Sequence, residues 1–308
     1  MGKIIRDGNV VSSYNYEKTV DQSNFINMIT RPANVNIAVP EGVENIGAYA
    51  FTHWGFAEIT LPDSIQTIGQ RAFDACSEMT IADNKLPKNL TAIGEVCFNG
   101  CVKLNIKEIP IGVNHIPASC FYNCYGLEQI DLSSIQTIGG SAFYYCNHLS
   151  KVIFGNNLTS IGNSAFRNTI LTKIDMPVGY TDIEGSVFHS TLLTTAIFKG
   201  DISTIKNLAF YRCTSLSQFD LRNNTAVPTL YSVESLGHAS GCKIVIPNSL
   251  YDTWTTATNW AGLTDVQWIR VINSWDDTIT AEGDYVLMSD LDLTDIRHLT
   301  PSANVKGA

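Results

Sequence analysis

The side chains with the clearest prospect of doing chemistry are cysteines. The chain has eight, and two pairs, Cys97-x-x-x-Cys101 and Cys120-x-x-x-Cys124, offer four thiolates of the kind that hold a structural zinc ion. Register supplies a competing reading. Each pair brackets a phenylalanine, Phe98 or Phe121, at its −1 and +3 positions, and Cys76, Cys146 and Cys213 also stand three residues after a phenylalanine. Thiols at one fixed offset form a ladder of small buried side chains, because free cysteine packs as a small hydrophobe. Rungs about 4.8 Å apart approach disulfide range, but a tight core rarely allows the required torsion. The expectation is reduced, inert thiols with no metal and no cofactor.

The other candidates are weaker. Asp290-x-Asp292-x-x-Asp295 hints at calcium but lacks the turn glycine and closing glutamate of an EF-hand loop. His53, His115, His148, His189, His238 and His298 do not pair with acids at ligand spacing. The chain has no HExxH, GxSxG, P-loop or dinucleotide glycine fingerprint. Asn89, Asn157 and Asn223 open Asn-x-Thr triplets, which matter only in a eukaryotic secretory setting. No catalytic residue is therefore assigned, and an enzyme whose site lies in the end caps is the remote alternative.

The elements that must position these groups recur. Phenylalanine stands at 51, 73, 98, 121, 143, 166, 188 and 210, and isoleucine stands five residues before every one of them. A period near 22 residues is the signature of a solenoid, in which each unit buries its apolar face only against its neighbours. One unit in full runs from Leu127 to Cys146. It reads as a first strand Leu-x-x-Ile-x-Leu, a turn, a second strand Ile-x-x-Ile, then a glycine and a single helical or 3₁₀ turn carrying Ala142 and Phe143. Glycine four residues before the phenylalanine, at 47, 69, 94, 139 and 162, implies positive φ or close backbone approach. Pro117, Glu184 and Lys206 occupy that place in three units, so the turn tolerates other residues. The expected fold is a mainly β, right-handed solenoid of about eight 22–25-residue coils with a cap at each end.

Four segments follow from where the repeat begins and ends: an arm or cap over 1–35, the solenoid over 36–232, a C-terminal cap over 233–272 and an acidic extension over 273–308. In the first, Ile4-Ile5 and Val10-Val11 fit one strand around the Asp7-Gly8-Asn9 turn, and 21–29 fits a short amphipathic helix. In the third, Cys242–Pro247 reads as a strand, 249–260 as a helix with Leu250, Trp254 and Ala257 inward, and 268–272 as a returning strand. Trp254 and Trp260 are expected in the core rather than as a sugar-stacking platform. In the last, Tyr285–Met288 supports a strand.

Apolar residues make up 44% of the chain and charged residues 16%, which argues against disorder. A net charge of −9 gives no basic footprint, so neither nucleic acid nor an anionic membrane surface is an expected partner. No apolar run approaches the roughly 20 residues needed to span a bilayer, so membrane insertion is not expected either. Residues 1–7 lack the apolar core of a signal peptide, and Arg6 stands where N-myristoylation needs Ser or Thr. An extracellular or cell-surface location is expected if a signal was removed, with a phage virion or the cytoplasm as the alternative.

The pattern Ile-Gly-x-x-Ala-Phe-x-x-Cys, cleanest at Ile68–Cys76 and Ile161–Phe166, resembles the BspA-type (Treponema-type) leucine-rich repeat family over about two-thirds of the chain. The resemblance implies a leucine-rich-repeat superhelix and a bacterial or protist surface protein that adheres to host matrix, host cells or other microbes. Similar arrays occur in phage and prophage tail proteins that open with a short non-repeat arm, so a structural or receptor-recognition part of a tail is the alternative. The Cys-Lys-Ile-x-Ile-Pro strand with an aromatic helix is similar to the family's C-terminal cap. Thr169 and Thr191 replace the ladder cysteine and their units are one residue shorter before Leu171 and Leu193, which puts uniform curvature in doubt.

A non-enzymatic binding module recognising a protein or glycan on a host or microbial surface is the leading expectation. In each first strand the residues between the apolar positions face out, and stacking sets them in rows about 4.8 Å apart. The candidate binding strip is Glu128, Gln129, Asp131, Lys151, Thr172, Lys173, Asp175, Thr194, Gln218 and Asp220, with Ser150, Thr195 and Ser217 beside them. The plainer reading is a solvated strand surface, since Thr and Ser are ordinary exposed β-formers.

Overall fold

The computed structural model describes residues 2–6, 9–14, 19–20, 34–272 and 284–287. The expected helix over 21–29 and the Asp290–Asp295 motif lie outside the described residues. The molecule is a parallel β-solenoid of about ten turns, somewhat more than the eight expected from the phenylalanines. Its short-strand face carries ten two-residue strands, from Thr19–Val20 to Thr229–Leu230, in sheets of four, three and three. The facing side carries longer strands. Gln129–Leu132 pairs in parallel with Lys151–Phe154, and Lys173–Met176 opens a six-stranded sheet that runs through Cys242–Pro247 and Val266–Ile272 to Asp284–Leu287. Residues 2–14 form two antiparallel strands, Gly2–Arg6 and Asn9–Tyr14, rather than one, and the first pairs antiparallel with Asn36–Ala38. Among the described residues helix is confined to Tyr251–Thr256 and short 3₁₀ turns, and the α-helix ends before Ala257, whose backbone is already extended.

Sequence dictates this shape through burial at fixed offsets. All eight repeat phenylalanines are fully buried, and consecutive rings from Phe51 to Phe210 stack 5.1–5.9 Å apart. The widest gap, 5.9 Å between Phe166 and Phe188, falls between the two units that carry threonine in place of cysteine. The ladder thiols are buried, and each donates to the carbonyl of the phenylalanine one coil back: Cys76 to Phe51, Cys101 to Phe73, Cys124 to Phe98, Cys146 to Phe121 and Cys213 to Phe188, at 3.0–3.1 Å. Thr169 and Thr191 donate instead to the phenylalanine carbonyl of their own coil, at 2.9 Å. A shorter loop is thus closed by an internal bond where the longer one is closed across coils.

The turn around each phenylalanine is not the single helical turn expected. Alternate N–H groups bond back three residues, as Thr52 does to Tyr49 at 3.3 Å, while the others reach the next coil, as Phe51 does to Ala72 at 2.7 Å and His53 to Asp74 at 2.7 Å. A helix would turn every donor inward along its own axis; this alternation satisfies the backbone between coils instead. It requires a left-handed residue on each side of the phenylalanine, and Arg71 and Ala75 (φ 53° and 58°), Ser119 and Asn123 (53° and 59°) and Ser141 and Tyr145 (55° and 59°) show the rule. The conserved-looking glycine of the repeat is needed for a different reason. A Cβ on Gly94 would lie 2.3 Å from the Gln70 nitrogen, and one on Gly139 2.4 Å from that of Ala118, so close approach is the cause. Where Glu184 and Lys206 replace it in adjacent coils, their side chains form an ion pair at 2.5 Å.

Val96 takes a left-handed φ of 59°, a conformation that a β-branched residue reaches only with strain. Val96→Gly is expected to raise the unfolding free energy by about 1 kcal/mol, the strain relieved exceeding the entropy added to the unfolded chain. Urea denaturation would read the change as a higher midpoint at unchanged slope, and a lower midpoint would refute it.

Candidate functional site

The strand face presents the expected strip only in part. Glu128, Gln129, Lys151, Thr172 and Lys173 are exposed. Gln129 stands opposite Lys151 in the ladder. Asp131 is half-buried, and its Oδ1 accepts from the Ser133 amide at 2.8 Å. Asp175 is half-buried and meets Lys199 Nζ at 3.1 Å. The Thr194 hydroxyl donates to the Thr172 carbonyl at 3.0 Å, as Ser150 does to Glu128 and Ser217 to Thr194 at 3.1 Å, so these hydroxyls extend the ladder rather than stand free.

Two members of the strip are misplaced. Gln218 and Asp220 are buried, at 4% and 0% exposure, as is Thr195. Asp220 is held by the Arg222 guanidinium in a bidentate pair that is itself closed to solvent. The residue directly opposite Asp220 on the next strand is Val245, and the cation that pairs with it stands two residues on in its own chain. The presentable strip therefore ends near Lys173. Aliphatic residues were also missed in the row between the two inward positions. There Asp131 stands beside Ile153, and Asp175, Ile197, Asp220 and Val245 follow in register. Ile153 is 43% exposed, whereas Ile197, Val245, Ile269 and Val271 form a small buried cluster apart from the main core.

The cysteine motif resolves into packing. Cys97, Cys101, Cys120 and Cys124 are all fully buried, and among the described residues no three His, Cys, Asp or Glu side chains gather as a metal set. Burial pushes the thiols of Cys97, Cys101 and Cys124 far up and does the same to Cys120 and Cys146. Cys213 is pushed up less, to about 11, because the Thr191 side chain offsets part of the desolvation. Trp254 and Trp260 are core residues, edge to face at 5.4 Å, with Trp260 Nε1 donating to Pro228 O at 2.8 Å. A cleft beside them is lined by Val227, Tyr231, Ala257, Thr258 and Asn259 and holds no acid, histidine or thiol.

A parallel solenoid of short repeated coils around one apolar spine is the architecture of a leucine-rich repeat protein. The family model of the BspA-type leucine-rich repeat region matches residues 28–148 and 114–232 with six copies, and the chain belongs to that family. No curated protein matches the sequence. Among solved structures, it is similar to a leucine-rich cell surface protein from Faecalibacterium prausnitzii A2-165, at 18% identity over 78% of this chain and 92% of that one, with a TM-score of 0.45. It is also similar to a leucine-rich repeat protein from Bacteroides ovatus ATCC 8483, at 19% identity over 76% and 84%, TM-score 0.44, and to the pneumococcal vaccine antigen PcpA, at 15% identity over 84% and 81%, TM-score 0.36. Among the described residues no helix is long and apolar enough to cross a membrane.

Proposed function

We propose that the protein is a non-enzymatic binding module, displayed at a microbial surface, that recognises a protein or glycan through the exposed part of its strand face. The observation that carries this reading is the strip Glu128, Gln129, Lys151, Thr172 and Lys173, whose polar side chains are held outward by strands locked in parallel register. A solenoid face stays rigid while its area grows with each coil, so a partner is met without an ordering cost on the protein's side. The end cleft lacks any acid–base pair, which favours binding over catalysis. The surface location rests on the family's character and on the printed description of the F. prausnitzii protein.

The test is a screen of the whole chain against a glycan array and a panel of extracellular matrix proteins, followed by the triple variant Gln129→Ala, Lys151→Ala, Thr172→Ala against each hit. Loss of binding by about tenfold or more, with unchanged melting, is expected of exposed contacts that act together. Unchanged affinity in the triple variant would place the site elsewhere on the array.

A further inference from the structure

The turn face carries outward side chains just after each repeat phenylalanine. From Phe121 onward they include Tyr122, Tyr144, Arg167 and Tyr211 in one row, with Tyr145 and Arg212 in the next, while His189, at the same place in its coil, is buried. Backbone bonds between coils hold the rows in place: Tyr145 N reaches Arg167 O at 3.0 Å, Asn168 N reaches His189 O at 3.0 Å, and Ser190 N reaches Tyr211 O at 2.8 Å. Tyr122 and Tyr144 stack at 5.0 Å, and Tyr145, 41% exposed, meets Tyr144 edge-on at 4.6 Å. The Arg167 guanidinium lies 5.5 Å over the Tyr144 ring, and that of Arg212 lies 5.5 Å over Tyr211.

The charge of this face is opposite to that of the whole. The chain carries −9, yet the five residues after each of Phe121, Phe143, Phe166, Phe188 and Phe210 include no Asp or Glu. One earlier coil, that of Phe73, places acids here and neutralises them, Asp74 by Arg71 at 2.8 Å and Glu78 by Lys103 at 2.6 Å. Arg167 and Arg212 have no carboxylate partner among the described residues, and Arg167 Nε is buried without an acceptor. Between them, burial and then Arg167 hold the buried His189 below the usual imidazole value, so it brings no charge beneath this face. Two fixed cations thus stand beside open aromatic surface on a rigid frame.

Spacing narrows the ligand. Arg167 and Arg212 are two coils apart and in adjacent rows, which separates them by roughly 10 Å along the solenoid axis at the ladder rise. An extended peptide brings same-side carboxylates round every ~7 Å and falls out of step with that interval. A linear polysaccharide with one uronic acid in each disaccharide repeats its carboxylate at about the required distance, and its apolar ring faces suit tyrosine.

We propose that this turn face binds an acidic polysaccharide, with Arg167 and Arg212 each engaging one uronate carboxylate and Tyr145 supporting the sugar beyond Arg167. The surface is separate from the strand-face strip, so each can fail without the other. Guanidinium–carboxylate pairing is the strongest contact available here, and it weakens with salt.

Titration calorimetry of the whole chain with a hyaluronan octasaccharide tests the proposal, with dextran and polyglutamate as comparison probes. Binding to the octasaccharide that weakens with added salt is expected, with none to dextran. Arg212→Gln, an exposed change with little risk to folding, is expected to weaken binding about tenfold, and the double variant with Arg167→Gln to abolish it. Tyr145→Ala is expected to weaken binding of the sugar, while Gln129→Ala with Lys151→Ala leaves it unchanged. Absence of octasaccharide binding by the folded protein, or full affinity in Arg212→Gln, would overturn the proposal. Equal or tighter binding of polyglutamate would overturn it too, in favour of an acidic peptide.

Discussion

Raising the pH from about 8 to about 11 is expected to unfold the protein cooperatively, through its thiols. Seven cysteines have values pushed above the ordinary 9.0, desolvation being the largest cause for each, with Cys213 reaching about 11 and Cys242 about 12. The buried phenol of Tyr180 is raised for the same reason. In the fold these groups stay protonated, whereas in the unfolded chain the thiols ionise above about pH 9. The unfolded state then binds fewer protons, so stability is intact below that pH and falls as pH rises toward the folded values. Each thiol withdraws roughly 1 kcal/mol per pH unit across this window, and seven acting together would exhaust a typical 5–15 kcal/mol within about two units. Tryptophan fluorescence and circular dichroism against pH would follow the transition. Native protein at pH 8 is expected to leave all its cysteines unreactive toward a thiol reagent, and the alkaline form to expose them. A fold that keeps its stability unchanged from pH 9 to 11 would show that the ladder is wetter than its burial implies. Cys120→Ala with Cys146→Ala should flatten the pH dependence while lowering stability at neutral pH, since both leave cavities.

The fold was legible because its cause is periodic. Isoleucine, phenylalanine and cysteine at fixed offsets specify which side chains point inward, and stacking then leaves little freedom. What escaped was anything decided between coils rather than within one. The glycine at −4 is explained by the backbone of the preceding coil, 2.3 Å from a Cβ on Gly94, which a single unit does not reveal. The left-handed residues flanking each phenylalanine are Tyr, His, Arg, Ala, Val, Ser, Leu and Asn as well as Gly, so composition carries no trace of them. The candidate strip shows the same limit. Outward alternation located Gln129, Lys151 and Lys173 correctly on the surface, but nothing in the alternation marks Asp220 as captured by Arg222 from the following turn. The cationic turn face was hidden more simply. A sum over the chain gives −9, and only the repeat register shows that acids are missing from five consecutive turns.

Phe143→Ala is expected to cost about 3–5 kcal/mol, the range for emptying a large aromatic site in a packed core. The ring is fully buried and stacks on both neighbours, at 5.2 Å on Phe121 and 5.1 Å on Phe166, so two aromatic contacts are lost with it. The surroundings have little means of collapsing into the space. Ala142 and Cys146 are small, and the turn around Phe143 is bonded to the next coil through the Phe143 and Tyr145 amides at 2.8 and 3.0 Å. Damage in a solenoid is local in origin but divides the array, because stability is a sum of unit and nearest-neighbour terms. The variant is therefore expected to unfold in two steps, with the coils on either side of residue 143 losing protection separately. Hydrogen exchange across a denaturant series would resolve them: amides near Phe73 and Phe98 should open at one denaturant concentration and those near Phe188 and Phe210 at another. Phe51→Ala provides the contrast, since Phe51 stacks on Phe73 along the spine and meets Trp54 and Phe56 edge to face at 5.4 and 5.8 Å. Phe51 lies near the start of the phenylalanine spine rather than in its middle, so its loss should leave the array undivided and the transition single. If Phe143→Ala unfolds in one step with a loss under about 1 kcal/mol, the phenylalanine stack fills space without coupling the coils, and the cooperativity must reside in the strand ladders instead.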